Sequence, residues 1–430
     1  METMFENKKI GIWGFGVVGK SVLSFLSQFN CTLYVLDKLE LDEFQKELIK
    51  GHNATFVDQN LLNQFLEMND IIIPSPGINL KPFDLYQEKF LSELDIFAHY
   101  IKKPTIAITG SVGKTTTTHV LTHLLNKLGK KALACGNIGF ALLDALAVQN
   151  EYDILVLELS SFQLQYSTRF APTIALITNI YPNHLDHHFD MEEYVTAKGQ
   201  LLTHQSESDL AIMSMSLMDT FWQFLAQQKV NWLSPDWNID IINQLSDITV
   251  KENWQLILAT LESLDLPTQD ILGLCVDLPR LNDRIECIGN YNGATFYNDS
   301  KATIPASTVA ALNQFKNKNI ILFLGGLSKG VDRAPFVKQL QSKVKTIICF
   351  GKEAEQLHQF CVKANIISSS HATLEAAFDY CLTIIKPNDI VLFSPAGSSF
   401  DLFKNYQERG KSFTKLVEMN ANHLHKTALP

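Results

Sequence analysis

Thr109-Gly110-Ser111-Val112-Gly113-Lys114-Thr115 packs two glycines, a lysine and three hydroxyl side chains into seven residues. That mixture suits phosphate. Glycines let backbone amides approach an anion, and a helix starting there adds its dipole. A lysine amine can reach the β/γ-phosphates and a threonine hydroxyl can ligate Mg2+. The common phosphate loop, G-x-x-x-x-G-K-[ST], would need glycine at 108; Ile108 stands there, and the extra glycine is Gly110. Further on, "DILVLELSSFQL" puts Glu158 near the carboxyl end of a buried strand. A carboxylate there is costly unless paired or metal-bound, and Mg2+ takes one or two carboxylates beside phosphates. Pairing with a lysine is the alternative. "TNIYPNHLDHHFD" carries His184, His187 and His188. Three histidines raise zinc, yet zinc sites cluster them with Cys or carboxylate partners, so an exposed polar loop is expected. Lys198, in "EEYVTAKGQLL", taken alone is a solvated lysine on a helix.

Positioning these groups requires strands. Short apolar runs recur along the chain: "KIGIWGFG", "CTLYVLD", "DIIIPSPG", "PTIAITG", "DILVLELS", "TIALITN", "NIILFLGG", "TIICFG" and "DIVLFSPAG". Runs apolar on both faces indicate buried parallel strands. Several end in Gly, Ser, Asp or Asn, at the strand ends where open α/β sheets carry their sites. After "PTIAITG", the stretch "KTTTTHVLTHLLNKLG" has Val120, Leu121, Leu124, Leu125 and Leu128 near helical spacing, so residues 110–115 form a strand-to-helix turn. Residues 205–275 are weakly patterned, with a helix expected only at "NWQLILATLESL". The fold class is α/β in three domains: Rossmann-like over 1–101, P-loop ATPase-like over 102–280, and Rossmann-like over 281–430.

Composition narrows the setting. The 430 residues are 46% hydrophobic and 19% charged, which supports large cores and argues against disorder. A net charge of −9 argues against nucleic-acid binding. Seven scattered cysteines with no Cys-x-x-Cys fit reduced thiols of a cytoplasmic protein. No apolar run is long enough to span a membrane, and no signal peptide is evident.

"GFGVVG", Gly14 to Gly19, matches G-x-G-x-x-G, and Asp37 follows at the end of the second strand. By itself this is a dinucleotide fingerprint, and an NAD-dependent oxidoreductase is one reading. Its physical content is narrower: a helix N-terminus that can approach a pyrophosphate, which a UDP-sugar also carries.

Together the pieces resemble the Mur ligase family of cell-wall synthesis, whose phosphate loop T-G-[ST]-x-G-K-[ST] fits Thr109 to Thr115. "GNIG" (136–139), "LELSSFQL" (157–164), "NDSKAT" (298–303) and "SPAGSSFDLFKNYQERG" (394–410) look like its D-glutamate-adding branch. The Asp-Asn-Pro-Arg of the diaminopimelate- or lysine-adding branch is missing. The resemblance implies ATP at Gly110, Ser111, Val112, Gly113, Lys114, Thr115, Thr116, Asn253, Arg284 and Asp299. It implies two Mg2+ ions at Thr115, Glu158, His184 and Lys198, the last carbamylated, with Lys114, His184 and Lys198 catalytic. The UDP end of UDP-N-acetylmuramoyl-L-alanine would meet Gly14, Val17, Val18, Asp37, Lys38, Ser75, Pro76 and Gly77, with Asn137 also touching this substrate. D-glutamate would meet Lys301, Thr303, Lys329, Ser399, Phe400 and Tyr406. The implied reaction is amide ligation through an acyl phosphate, by a cytoplasmic monomer with small-molecule substrates, no nucleic acid and no membrane. Another Mur-type ligase, a folylpolyglutamate-type ligase and a scaffold that has lost its chemistry are the alternatives. Glu252, Leu256, Ile304 and Leu327-Ser328 depart from the family pattern on the adenine side and in the third domain.

Overall fold

The computed structural model describes residues 4–38, 40–245, 249–278, 281–315 and 319–427, with 421–427 as backbone only. The expected boundary at residue 280 lies outside them. The chain divides into two compact units, Met1–Ile180 with Asp190–Leu278, and Tyr181–Phe189 with Pro279–Pro430.

The first unit holds two parallel sheets. One contains β1 (Lys9–Trp13), β2 (Thr32–Leu36), β3 (Thr55–Val57) and β4 (Ile71–Pro74), in the order β3-β2-β1-β4. The other contains β5 (Thr105–Thr109), β6 (Ala132–Gly136), β7 (Ile154–Glu158), β8 (Ile174–Ile177), β9 (Leu210–Ser214) and β10 (Lys229–Leu233), in the order β10-β9-β8-β5-β7-β6. In each, the chain leaves its first strand to one side and later returns to the other. Such a reversal opens a crevice at the carboxyl ends of β1 and β5.

Both faces of the second sheet are covered, which is why its strands are continuously apolar. Ala107, Leu155, Leu157, Ala175 and Ile177 join Ile10, Ile12, Val35, Ile96 and Phe97 in one core that both sheets share. Ile106, Ile108, Val156 and Leu176 point the opposite way, with the two-residue period of a strand. They pack on Leu121, Leu124 and Leu125 of helix Lys114–Lys127, and on Ile257, Leu258 and Leu261 of helix Lys251–Ser263. The weakly patterned stretch thus yields β9, β10 and that helix; Lys229, Val230, Asn231 and Trp232 are half-buried or exposed on an edge strand, which blurs the pattern.

Polar ties join the two sheets' helices. Ser21 donates to Asp144 at 2.6 Å, and Asp95 accepts from Ser167 Oγ and from the Thr168 and Arg169 amides at 2.9–3.1 Å. Glu93, 3% exposed in the first turn of helix Glu93–Tyr100, is pushed up to about 7 from the ordinary 4.5. Burial is the main cause; the nearby Leu142 and Leu143 amides oppose it without reaching good hydrogen-bond geometry. A carboxyl raised on folding contributes stability below pH 4.5 that is lost as pH rises through 7. Glu93→Gln should therefore match the parent's stability near pH 4.5 and exceed it by up to about 3 kcal/mol near pH 8. Urea melts at the two pH values measure this, and a gain independent of pH would contradict it.

The second unit holds one sheet of β11 (Glu286–Tyr291), β12 (Ala294–Asn298), β13 (Asn319–Gly325), β14 (Thr346–Phe350), β15 (Ser368–His371) and β16 (Asp389–Phe393). Its order is β11-β12-β16-β13-β14-β15, with only the β11–β12 hairpin antiparallel. β16 inserts between β12 and β13, so the loops leaving those three strands converge. Among the described residues no helix is long and apolar enough to cross a membrane.

Candidate active site

The phosphate loop leaves β5 and enters helix Lys114–Lys127 through Gly113 at φ 92°, after Gly110 at φ 137°. Both conformations exclude ordinary side chains. Space excludes them too: a Cβ on Gly110 would strike the Thr178 hydroxyl, and one on Gly113 would strike Asn253. The loop is held from below. Asn179 accepts from the Val112 amide (2.9 Å) and donates to the Val112 carbonyl (3.0 Å), and its own carbonyl accepts from Ser111 N (3.0 Å). Thr178 Oγ1 donates to Val112 O at 2.7 Å. Sequence reading missed Thr178 and Asn179. The "TN" ending β8 was the available signal, a polar pair at a strand's carboxyl end beside the loop-bearing β5.

Lys114 Nζ donates to Gly110 O (2.7 Å) and Ser111 O (3.2 Å), so its charge lies across the loop. Thr115 is buried in the helix's first turn and Thr116 is half-buried. Asn253 donates to Thr249 at 2.8 Å, while its buried Oδ1 has no hydrogen-bond partner among the described residues. Leu256, where the family pattern expects a polar residue, is packed in the core of the second sheet, and Glu252 is exposed.

Glu158 ends β7, beside the loop strand, and is 2% exposed. Asn137 Nδ2 donates to its Oε1 at 2.9 Å; Oε2 has no hydrogen-bond partner among the described residues. An orphaned, buried carboxylate oxygen next to a phosphate loop fits a hard divalent cation. Pairing by a lysine is not what satisfies it.

Lys198 corrects the solvated reading. It is 1% exposed on helix Met191–Thr203, its Nζ 3.3 Å from Thr109 Oγ1 and 4.7 Å from the Tyr194 ring centroid. Tyr194 in turn shares a 3.0 Å hydrogen bond with Ser111 Oγ. Burial holds the Lys198 amine well below its ordinary range, nearby Lys114 lowers it further, and Glu158 opposes both. Helical periodicity was correct here, but which face was buried could not be read from a mixed segment.

The first sheet's crevice lies between β1 and β4. Gly14, at φ 94°, begins the turn, and a Cβ on Gly19 would press on the Gly14 carbonyl. Asp37 accepts from Phe15 N at 2.5 Å, and Ser75 Oγ donates to Gly14 O at 3.2 Å. Val17, 75% exposed, opens the helix, followed by half-buried Val18; Lys38 is exposed. Ser75 and Pro76 line a small cavity with Phe162, Gln163 and Tyr166, connecting the "SPG" loop, which ends at exposed Gly77, to the "SSFQL" segment after β7.

In the second unit, Asp299 follows β12 and accepts from Ser394 Oγ at 2.6 Å. Burial pushes its carboxyl up to about 7, against the pull of Ser394 and of Arg284. Lys301 Nζ lies 5.2 Å from the Tyr406 ring centroid. Lys329 Nζ donates to Thr303 Oγ1 (3.3 Å) and reaches Asn183 Oδ1 at 3.5 Å. Ser399 is buried and Phe400 is 71% exposed. Ile304 stands at the N-cap of helix Pro305–Leu312 and is buried, and Leu327 pairs through its backbone with Ser398. His184, at φ 57°, opens the turn that the His187 and His188 amides close. His188 is buried and His187 half-buried, so the segment is less exposed than expected. His184 belongs to this unit, whereas Thr115, Glu158 and Lys198 belong to the other. Among the described residues no three His, Cys, Asp or Glu cluster closely enough to hold a metal by themselves.

Residues 108–261 match the Mur ligase middle domain, and residues 283–397 match the Mur ligase glutamate ligase domain. The chain is 30% identical over 421 residues to the UDP-N-acetylmuramoylalanine–D-glutamate ligase of Thermosipho africanus, covering 95% of this chain and 98% of that one. It is 32% identical to the ligase of the same name from Clostridium kluyveri, over 95% and 96% of the two chains. Among solved structures it resembles the MurF ligase of Thermotoga maritima in complex with ADP, at TM-score 0.57 and 15% identity, over 99% and 97% of the chains. It also resembles a pseudomurein peptide ligase type C from Methanothermus fervidus, at TM-score 0.57 and 16% identity, over 96% and 100%. At these identities the structural likeness speaks to the fold alone, α/β in three domains.

Proposed function

Because the chain belongs to the Mur ligase family, we propose that it joins D-glutamate to UDP-N-acetylmuramoyl-L-alanine, using ATP, in peptidoglycan precursor synthesis. The observation that carries this reading is the gathering of Lys114, Glu158 and Lys198 at one phosphate loop, in a chain similar end to end to ligases of that name.

A carboxylate is a poor acylating agent. ATP's γ-phosphoryl group passes to the L-alanyl carboxylate, giving an acyl phosphate. The loop amides and Lys114 offset the charge on the transferring group. The amine of D-glutamate attacks the acyl carbon, and the tetrahedral intermediate expels phosphate and leaves the amide. Thr115 and Glu158, with His184, would hold Mg2+, which when bound adds positive charge at the phosphoryl oxygens. Lys198 would be carbamylated: its buried amine would attack CO2, form an N–C bond and release a proton, turning a donor-only side chain into a carboxylate acceptor. Asn137 orients Glu158 and faces the acyl substrate, whose UDP end lies along Gly14, Val17, Val18, Asp37, Lys38 and Ser75 to Gly77. Arg284, Asp299 and Asn253 complete the ATP contacts, and Lys301, Thr303, Lys329, Ser399, Phe400 and Tyr406 receive D-glutamate. The proposal extends to domain limits at 101/102 and 280/281 and to a cytoplasmic monomer.

Phosphate release with ATP, Mg2+ and UDP-N-acetylmuramoyl-L-alanine tests this, comparing D-glutamate with L-glutamate, L-lysine and meso-diaminopimelate. Release with D-glutamate alone, with the amide found by mass spectrometry, is the expected outcome. Release with a different amine keeps the mechanism and moves the specificity. A folded, ATP-binding chain silent with all four overturns the ligase reading.

A further inference from the structure

The loop after β13 is pinned at almost every backbone group. Gly325 N donates to Pro395 O at 2.9 Å, and Leu327 and Ser398 exchange both backbone hydrogen bonds at 2.9 Å. The groups left over are met by an ion pair between buried Arg333 and half-buried Glu353. Arg333, 2% exposed, donates to Gly325 O (3.2 Å), Gly326 O (3.1 Å) and Glu353 Oε2 (2.5 Å). Glu353 Oε1 accepts from Ser328 N at 3.1 Å. One guanidinium fork and one carboxylate therefore hold three of the four residues preceding Lys329.

Lys329 itself sits at φ 56°. A non-glycine residue there is uncommon and persists when its surroundings over-determine it. The frame supplies that determination and aims Nζ at Thr303 Oγ1 and Asn183 Oδ1. Such a largely buried ion pair is weak evidence for stability, since apolar residues of similar volume often serve as well. Its distinctive contribution here is direction, because the fork and carboxylate fix carbonyls and an amide that an apolar side chain could not.

We propose that Arg333 and Glu353 are positioning residues that set Lys329 to receive a carboxylate of the incoming amino acid, and so govern the KM for D-glutamate without touching it. This rests on the assignment of Lys329 to the D-glutamate site.

Steady-state kinetics on Glu353→Gln, Arg333→Lys, Lys329→Ala and the double variant Lys329→Ala/Glu353→Gln test it. Arg333→Lys keeps the charge and loses the fork. Both frame variants are expected to raise the KM for D-glutamate about tenfold, the scale of one charge-assisted hydrogen bond, with the KM for ATP and for the UDP substrate within about twofold. Adding Glu353→Gln to Lys329→Ala should change the D-glutamate KM by less than about twofold, because the two act through one group. Mere destabilisation would lower the active fraction and kcat and leave each KM in place; thermal melts record it separately. If Lys329→Ala raises the D-glutamate KM while Glu353→Gln and Arg333→Lys leave it unchanged, the frame proposal is overturned. If Lys329→Ala leaves it unchanged, the assignment of Lys329 fails first.

Discussion

Lys114→Met should fold as the parent does and turn over about a hundred- to a thousandfold more slowly. The half-buried side chain lies across the mouth of its loop, bonded to two of the loop's own carbonyls. Those contacts are not what shapes the loop: Thr178, Asn179 and the two glycines do that, and methionine leaves them untouched. On the proposed mechanism, what disappears is one fixed positive charge beside the phosphoryl group, where charge spreads in the transition state. Because the loop amides would still cradle the phosphates, the KM for ATP should rise much less than kcat falls. Phosphate-release kinetics and a thermal melt measure both halves. Turnover within about threefold of the parent would remove Lys114 from the chemistry.

Lys198→Met should abolish most activity, by about a thousandfold or more, and should not cost stability. The amine is buried with one long hydrogen bond to Thr109 and an aromatic face beneath it. An amine so enclosed costs free energy that a methionine of similar length does not. A residue kept only for structure would show the opposite pairing, lost stability with retained activity. Parallel urea melts and turnover measurements separate the two cases. Carbon-13 NMR of the parent under labelled CO2 should show a carbamate carbon that the variant lacks. A variant that is destabilised yet active would return Lys198 to a structural role.

Much of this site was legible because its signals are local. The strand, two glycines, Lys114-Thr115 and an amphipathic helix are contiguous, so short-range geometry suffices to predict a phosphate turn; the structure adds the left-handed Gly113 that makes it work. Nine apolar runs foretold nine of the strands for the same reason, since a strand buried on both faces needs no partner to be recognised. β3, β6, β9, β10, β11, β12 and β15 were not foreseen; β3, β6, β10, β11 and β15 lie at sheet edges, where burial is mixed and the apolar signal weak.

The sequence by itself determined the phosphate loop, the parallel α/β class, and Glu158 as a strand-end carboxylate. Each follows from residues adjacent in the chain, where sterics and periodicity act directly. Only the tertiary structure decided that Lys198 is buried over Tyr194, that Asn179 clasps a loop 67 residues before it, and that Arg333 and Glu353 hold the approach to Lys329. The two clasps depend on which strands become neighbours, β5 beside β8 and β13 beside β14. Strand order is set by how sheets and helices bury apolar area together. It leaves no mark at the positions of the polar residues it brings into contact.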